Sequence, residues 1–246
     1  VKRKTSPLFK WGMSLFKDTR LRIAEGLYFA VLGNAIKKNV IDIVSPQVGR
    51  KVLSFDHTAI FNKIPLAEHS HTNKLILGMT GSLRESKGFF EYMKLSNHFK
   101  KNPNVEFRAI GRISVDKCKI KESGIVLPEG VENEDLTRQK MYDMIREVDY
   151  VVYPFPKEVY GFTASGSIFD AIDCERPILA LYNDYFSGMF DSCGHFGYLE
   201  NTMDNLINRI EWLYLHKDEV TWDIKSIKEK LQPESAAERF VRQWSI

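Results

Sequence analysis

From residue 74 onward, short apolar runs alternate with segments of helical periodicity, and this alternation constrains the fold more than any other feature of the sequence. Strands are predicted over 75–81, 105–111, 124–128, 149–154 and 177–181. Helices are predicted over 89–100, 134–147, 167–173, 203–216, 226–231 and 234–244. Such alternation favours parallel pairing through right-handed crossovers. We therefore predict an α/β fold with a doubly wound parallel sheet.

Residues 1–73 depart from this pattern. Interleaved basic and apolar residues predict helices up to about residue 38, the second of them over 21–37. Short strands are predicted over 40–45 and 52–55, and the polar, proline-marked stretch 62–73 predicts a linker. The predicted organisation is a helical N-terminal part over 1–73, a ligand-binding domain over 74–232 and a C-terminal helix over 233–246 that packs back on the N-terminal part.

Composition excludes several classes of protein. Hydrophobic residues make up 43% and charged residues 27% of the chain, so a buried core is expected. The formal net charge of +3 is too small to indicate a nucleic-acid partner. Cys118, Cys174 and Cys193 form no CxxC motif or Cys/His cluster. We therefore expect no zinc site and no disulfide framework, and a cytoplasmic location. His69 and His71 lie in the predicted linker and are interpreted as loop residues rather than metal ligands.

Ligands of parallel sheets bind at the carboxyl ends of the strands, so the loops that follow strands are the candidate sites. The loop after 75–81 combines Gly81 and Ser82 with the cations Arg84 and Lys87. Glycine lets a ligand approach the backbone closely, and the start of the next helix attracts anions. This loop predicts a phosphate site, with a solvated basic turn as the alternative.

A second loop, over 158–172, follows the strand 149–154. Its residues Ser165 and Gly166, just after Ala164, stand where a helix begins, so their unsatisfied N–H groups predict a second anion site. Asp170 follows about one turn later, where a carboxylate can accept hydrogen bonds from both hydroxyls of a ribose. The alternatives are a helix N-cap for Ser165 and a surface acid for Asp170. Gly111, at the end of 105–111, is expected to line the same pocket.

In order and spacing, four segments resemble the C-terminal domain of the retaining GT-B glycosyltransferases known as glycosyl transferases group 1. Residues 81–88 resemble G-R-L-x-x-x-K-G, 107–111 L-x-I-x-G, 141–154 L-Y-x-x-A-D-V-F-V-L-P-S and 170–180 E-A-M-A-x-G-x-P-V-I-A. The resemblance covers residues 74–230 and implies a Rossmann-like domain that binds a nucleotide sugar. It also implies that residues 1–73 are a remnant of the acceptor-side domain, so that the chain is either a fragment or a reduced relative.

The resemblance implies roles for matching residues. Lys87 would neutralise the diphosphate, Gly81 would allow its close approach, and Asp170 would hold the ribose. The backbone of 164–166 would bind the distal phosphate.

Two positions depart from the family pattern. The loop arginine of the family falls at Ser82, and Arg84 is the nearest substitute. The first acid of the family's acidic pair falls at Phe162, and Glu158 can take its role only if the loop is about four residues longer. The expected catalytic residues are therefore Lys87, Arg84 and Glu158.

The function implied by the resemblance is transfer of a sugar from a nucleotide sugar to a carbohydrate or lipid-linked acceptor, in polysaccharide or glycolipid synthesis, without a metal or other cofactor. One alternative is a sugar-nucleotide-binding module without turnover. Another is a GT-B-fold epimerase acting on the nucleotide sugar, which would need acids and histidines facing the cleft and for which His195 is the only candidate near a predicted loop. The basic, aromatic stretch 1–23 would either rest on an anionic membrane or form a partly buried helix.

Overall fold

Parallel strands form the framework of the molecule. The computed structural model describes residues 7–61, 73–127, 136–157 and 160–244. Within these ranges the strands are β1 (Phe29–Leu32), β2 (Val52–Phe55), β3 (Leu75–Leu83), β4 (Val105–Ile113), β5 (Tyr150–Tyr153), β6 (Ile178–Leu181) and β7 (Gly197–Glu200).

Helices join these strands and cover them. In the described residues they are α1 (Pro7–Lys17), α2 (Asn34–Ile41), α3 (Pro46–Gly49), α4 (Phe89–Phe99), α5 (Lys117–Glu122), α6 (Arg138–Arg146), α7 (Ser167–Asp173), α8 (Asp184–Cys193), α9 (Met203–His216), α10 (Ile224–Lys230) and α11 (Pro233–Trp244). Short 3₁₀ turns occur at Glu85–Lys87 and Lys217–Glu219.

The larger sheet has the strand order β4-β3-β5-β6-β7, and all of its strands are parallel. Val126 adds a parallel bridge to Arg108 beyond β4. The chain thus winds outward from β3 in one direction and from β5 in the other. The crevice at this reversal lies where β3 and β5 end, which is the position where doubly wound sheets bind ligands.

Burial on both faces explains the composition of the strands. Leu75, Leu77 and Met79 on one face of β3 are 0% exposed. Ile76, on the opposite face, is only 4% exposed, so both faces are buried. Parallel strands covered by helices on both faces show such continuous apolar runs. On α4, the buried residues Tyr92, Leu95 and Phe99 recur at the spacing of one helix face.

The N-terminal part contains a second, two-stranded sheet, in which β1 and β2 pair in parallel. Helix α11 contacts β2. The rings of Phe55 and Phe240 meet edge to face at 5.9 Å, and the Arg239 Nε donates to Asp56 Oδ2 at 2.7 Å. The last described helix therefore lies against the N-terminal part.

The predicted α/β fold with a doubly wound parallel sheet is confirmed, whereas the N-terminal part is only partly helical. The helix predicted over 21–37 is wrong, because Phe29–Leu32 is a strand and Gly33, with φ of 92°, separates it from α2. The strand predicted over 40–45 is also wrong, since these residues end α2 and form the turn before α3. Short apolar runs fit both patterns, and here the pairing of β1 with a distant strand decides.

Elements elsewhere in the chain also differ from the predictions. In the segment predicted as a strand over 124–128, the described residues 124–127 form a single bridge at Val126. Helix α8 and strand β7 occur where no element was predicted. The predicted linker lies largely outside the described residues.

Gly111→Ala is expected to destabilise the protein. Gly111 has φ of 149°, and a Cβ at this position would lie 2.0 Å from the Gly81 carbonyl oxygen on the paired strand. The strands would have to separate, so we expect a loss of at least about 2 kcal/mol of unfolding free energy in urea denaturation. Gly26→Ala is the control, because its Cβ would meet nothing within 4 Å. Equal stability of the two variants would contradict the pairing.

Candidate functional site

The turn after β3 rests directly on the loop after β5. Gly88 ends the 3₁₀ turn with φ of 73° and leads into α4. A Cβ on Gly88 would lie 2.0 Å from the Pro154 carbonyl oxygen. Only glycine permits this contact, which holds the first turn of α4 beside the end of β5.

The end of β3 also meets the start of α7. A Cβ on Gly81, whose φ is 89°, would lie 3.1 Å from the Ser167 Cβ. Beneath them, the buried Tyr153 hydroxyl donates to the Ser167 carbonyl at 2.6 Å and lies 2.9 Å from Thr80 Oγ1. Burial raises the pKa of Tyr153, so this hydroxyl stays protonated and ties β3, β5 and α7 together.

Lys87 is half-buried in this crevice. Its ammonium donates to the Tyr160 hydroxyl and lies 5.3 Å from the ring centre of Phe155. Burial lowers the pKa of Lys87, and the charge of the exposed Arg84 lowers it further. No carboxylate among the described residues pairs with Lys87. Two cations thus lie near each other, and no acid of the described residues forms an ion pair with Lys87.

An aromatic stack fixes the acceptor of this ammonium. The rings of Phe155 and Tyr160 are 4.4 Å apart and 6° from parallel, and both residues are buried. Burial raises the pKa of Tyr160 to about 12. A hydrogen bond with Ser165 has the opposite, smaller effect on this pKa. Tyr160 is therefore a neutral hydroxyl that links Lys87 to the loop before α7.

Asp170 lies in the first turn of α7 and is half-buried. The Tyr142 hydroxyl donates to Asp170 Oδ1 at 3.4 Å, and Arg138 Nη2 donates to the Tyr142 hydroxyl at 2.7 Å. Burial raises the pKa of Asp170, whereas the charge of Arg138 and the Tyr142 hydrogen bond lower it. This long hydrogen bond leaves the carboxylate able to accept stronger ones.

The remaining predicted residues are distributed around these contacts. Ser165 is 0% exposed and its hydroxyl lies 3.1 Å from Ser167 Oγ. The N-cap of α7 is Gly166, so the N-cap interpretation of Ser165 is wrong. Gly166 is exposed, whereas Ala164 and Ser82 are half-buried. Gly111 is buried against Gly81, and Glu158 lies outside the described residues.

Sequence reasoning missed Tyr142, Tyr153 and Tyr160, which carry most of the hydrogen bonds of this crevice. It also missed contacts from the N-terminal part. The Asn39 Nδ2 donates to the Gly161 carbonyl at 2.8 Å. His57 Nδ1 lies 2.8 Å from the Tyr185 hydroxyl. These polar residues stand in no recognisable motif, so only the fold assigns them to the site.

His195, the candidate residue for an epimerase, lies at the other end of the sheet's strands. His195 precedes β7, at the amino ends of the strands, and its ring contacts Phe190 at 5.0 Å. It therefore lies away from the crevice between β3 and β5.

Among the described residues, no group of three or more His, Cys, Asp or Glu side chains is placed to hold a metal ion. None of the helices described there is long and apolar enough to cross a membrane.

No protein-family model and no curated protein matches the sequence, whereas solved structures match the fold. The lipopolysaccharide outer core galactosyltransferase WaaB, in its apo form, matches with a TM-score of 0.62 and 13% identity, over 87% of this chain and 60% of that chain. WaaG, a glycosyltransferase involved in lipopolysaccharide biosynthesis, matches with a TM-score of 0.60 and 13% identity, over 94% of this chain and 66% of the WaaG chain. A mutant of S. aureus TarM in complex with fondaparinux, alpha-GlcNAc-glycerol and UDP matches with a TM-score of 0.59 and 15% identity, over 88% of this chain and 43% of the TarM chain.

At these identities the likeness shows the fold, and the Rossmann-like fold of the GT-B glycosyltransferases is confirmed. The chain spans less than half the length of the TarM chain, at 43%, and therefore corresponds to part of a GT-B structure.

Tyr160→Phe is expected to destabilise the protein by about 1–2 kcal/mol, because it removes the buried partner of the Lys87 ammonium and of Ser165 while keeping the stack with Phe155. Urea denaturation measures the change. Tyr182→Phe is the matched control, since the Tyr182 ring contacts Lys157 but its hydroxyl has no such buried partner among the described residues. The same small loss in both variants would contradict a structural role for the Lys87–Tyr160 hydrogen bond.

Proposed function

We propose that the chain is a glycosyltransferase, and that the crevice between β3 and β5 binds the diphosphate of a nucleotide sugar. The half-buried Lys87, beside Arg84 and without a carboxylate partner in the described residues, is the observation that carries this proposal. A polyanion is the ligand that would compensate both charges. The eleven-residue helix α4 begins next to Lys87 and adds the positive end of its dipole.

Asp170 supports a nucleoside rather than a simple phosphate as the ligand. Its carboxylate lies on α7, the helix whose start contacts Gly81, and it has one long hydrogen bond of 3.4 Å from Tyr142. It can therefore accept hydrogen bonds from the two hydroxyls of a ribose whose diphosphate lies toward Lys87.

In the proposed reaction, the bond between the sugar carbon and the diphosphate breaks, and a bond to an acceptor oxygen forms while the acceptor proton leaves. Negative charge grows on the departing diphosphate. Lys87, Arg84 and the backbone N–H groups of 164–166 would stabilise that charge, so no metal is required. Removal of one such contact commonly costs about a hundredfold in rate. The role of Glu158 as a catalytic acid remains part of the proposal.

The matched proteins support the proposed substrates. The TarM crystals contain UDP and alpha-GlcNAc-glycerol, and WaaB and WaaG belong to lipopolysaccharide synthesis. We propose a nucleotide sugar as the donor and a carbohydrate or lipid-linked acceptor, in the cytoplasm, for synthesis of a cell-surface polysaccharide or glycolipid.

Peripheral membrane contact through residues 1–23 belongs to the same proposal. Cations line a groove at this end of the molecule: Arg20, Arg22, Arg50 and Lys51. The contact of Phe16 with Phe29, at 5.3 Å, instead supports a partly buried helix. Sedimentation with anionic vesicles at low and high salt separates the two, because only the electrostatic contact weakens with salt.

The alternatives differ in turnover. The position of His195 before β7 weighs against an epimerase, which would need acids or histidines facing the nucleotide sugar. A binding module would hold the nucleotide without reaction. An assay of transfer and of hydrolysis beside a binding assay distinguishes it, because binding without either reaction would contradict the enzyme.

Lys87→Met and Asp170→Asn are expected to weaken binding in different ways. The nucleoside diphosphate is first chosen from UDP, GDP and ADP by thermal shift. Lys87→Met should lower the affinity for this nucleotide and for pyrophosphate by roughly tenfold to a hundredfold, the value of a charged hydrogen bond. Asp170→Asn should lower only the nucleotide affinity. Calorimetry measures both, with the exposed Lys119→Met as the control. Unchanged nucleotide affinity in Lys87→Met would contradict the proposal.

The affinity for the diphosphate is also expected to depend on pH. Only the protonated Lys87 attracts the anion, and its pKa in the free protein lies below the ordinary value of 10.5. The affinity for the diphosphate should therefore decrease as the pH rises through this lowered pKa, at a pH below 10.5. In Lys87→Met, the part of this pH dependence that comes from Lys87 should be absent. An identical pH profile in the variant would show that Lys87 does not face the ligand.

A further inference from the structure

Two residues of α6 form a series of hydrogen bonds that ends on the Asp170 carboxylate. Arg138 and Tyr142 are four residues apart and therefore share one face of this helix. The Arg138 Nη2 donates to the Tyr142 hydroxyl at 2.7 Å, and the Arg138 Nε donates to the same oxygen at 3.1 Å. The Tyr142 hydroxyl donates in turn to Asp170 Oδ1 at 3.4 Å. An exposed arginine is thus connected to the candidate ribose acid.

The two bonds from Arg138 fix the direction of this series. A hydroxyl oxygen can accept two hydrogen bonds and donate one. The guanidinium fills both acceptor positions of the Tyr142 oxygen, so the phenol proton points away from Arg138. Asp170 Oδ1 is the acceptor that receives this proton. Tyr142 is therefore held as a donor to the carboxylate.

The ring of Tyr142 is a fixed part of the core, whereas Arg138 is at the surface. Tyr142 is only 2% exposed, and its backbone carbonyl accepts a hydrogen bond from the buried Cys174 thiol at 3.7 Å. Arg138 is exposed in the first turn of α6, where the helix dipole disfavours a cation. This position does not stabilise α6, but it allows both contacts of the guanidinium with the Tyr142 hydroxyl.

Arg138 also favours the ionised form of Asp170. Burial raises the pKa of Asp170, whereas the charge of Arg138 and the Tyr142 hydrogen bond lower it. Asp173 of the same helix raises this pKa again, and its own Oδ1 lies 3.4 Å from Lys228 Nζ of α10. Only an ionised carboxylate offers both of its oxygens purely as acceptors, and two neighbouring ribose hydroxyls require such acceptors.

The remaining titratable neighbours of Asp170 are neutral. Tyr153 of β5 and Cys174 after α7 interact with this carboxyl, but burial raises the pKa of both groups and keeps them protonated. Among the described residues, Arg138 is therefore the cation that acts on Asp170.

We infer that Arg138 is a positioning residue for ribose recognition: through Tyr142 it holds the Asp170 carboxylate ionised and oriented toward the two hydroxyls of a nucleotide ribose. The inference rests on the proposed function, in which Asp170 binds that ribose. Arg138 itself would not touch the nucleotide. Its loss should therefore weaken recognition of the ribose hydroxyls and leave binding of the diphosphate unchanged.

Calorimetry with two nucleotides measures recognition of the hydroxyls separately. They are the nucleoside diphosphate that binds best among UDP, GDP and ADP, and its 2′,3′-dideoxy counterpart, which has the same base and diphosphate. The wild-type protein should prefer the ribose form by roughly tenfold or more, and Asp170→Asn should remove most of this preference. Arg138→Met should reduce the preference by about threefold to tenfold, the value of a neutral hydrogen bond, with unchanged affinity for the dideoxy nucleotide.

Lys140→Met is the matched control for the loss of a positive charge. Lys140 is an exposed cation of the same helix, and residues two apart on a helix do not face each other. This variant should retain the full preference for the ribose form.

The pH dependence of the preference distinguishes positioning from general damage. The preference should be lost as the pH falls through the pKa of Asp170, because the protonated acid is a poorer acceptor. In Arg138→Met this loss should occur at a higher pH, since Arg138 lowers that pKa in the wild-type protein. Titration of the diphosphate is the same in both nucleotides and cancels in the ratio of their affinities.

Tyr142→Phe tests whether Arg138 acts through the tyrosine. It keeps the buried ring and removes the hydroxyl, so it should reduce the preference as Arg138→Met does. The two losses should not add in the double variant, because both break the same series of hydrogen bonds.

Three outcomes would overturn the inference. They are a ribose preference that Asp170→Asn removes but Arg138→Met retains at every pH, fully additive losses in the double variant, and an equal loss of affinity for the dideoxy nucleotide in Arg138→Met. The first of these would leave the proposed function intact. Equal affinity of the wild-type protein for the two nucleotides, or binding of neither, would instead contradict the proposed function and this inference with it.

Discussion

The contact of Gly88 with the Pro154 carbonyl oxygen is the constraint on which the candidate site depends. It lets the turn that carries Lys87 lie on the loop that follows β5, at a distance that no side chain would permit. Gly81 repeats this arrangement against Ser167 at the start of α7. Two loops far apart in the sequence are therefore held side by side at the ends of β3 and β5.

The crevice combines a rigid base with the cations Lys87 and Arg84, which have no ion-pair partner among the described residues. Tyr153 joins β3, β5 and α7 through buried hydrogen bonds, and the stack of Phe155 on Tyr160 fixes the acceptor of the Lys87 ammonium. A rigid arrangement of this kind loses little entropy when an anion binds, because the cations are already in place. In the proposed function, Asp170 would be the group that distinguishes a nucleoside diphosphate from a bare diphosphate.

The sequence predicted the large sheet well, because β3–β6, α4, α7 and α9 each carry a continuous apolar run or a clear helical period. It failed where pairing is decided at long range. Phe29–Leu32 becomes a strand only because β2 lies beside it, and β7 is a short edge strand with a half-buried pattern.

In the candidate site too, the sequence predicted some residues and missed others. Gly81, Lys87 and Asp170 stand in recognisable sequence segments, and the sequence alone predicted that these segments end or follow strands. The partners of these residues did not stand in any motif: Tyr160 faces Lys87 because of the aromatic stack, and Tyr142 reaches Asp170 from a neighbouring helix.

The central claim is that Lys87 and Asp170 belong to one nucleotide pocket, and a crystal structure with the preferred nucleoside diphosphate tests it most directly. The account predicts a phosphate oxygen within about 3 Å of the Lys87 ammonium and the ribose hydroxyls within hydrogen-bond distance of Asp170. A nucleotide that contacts only one of these residues, or that binds outside the crevice between β3 and β5, would contradict it.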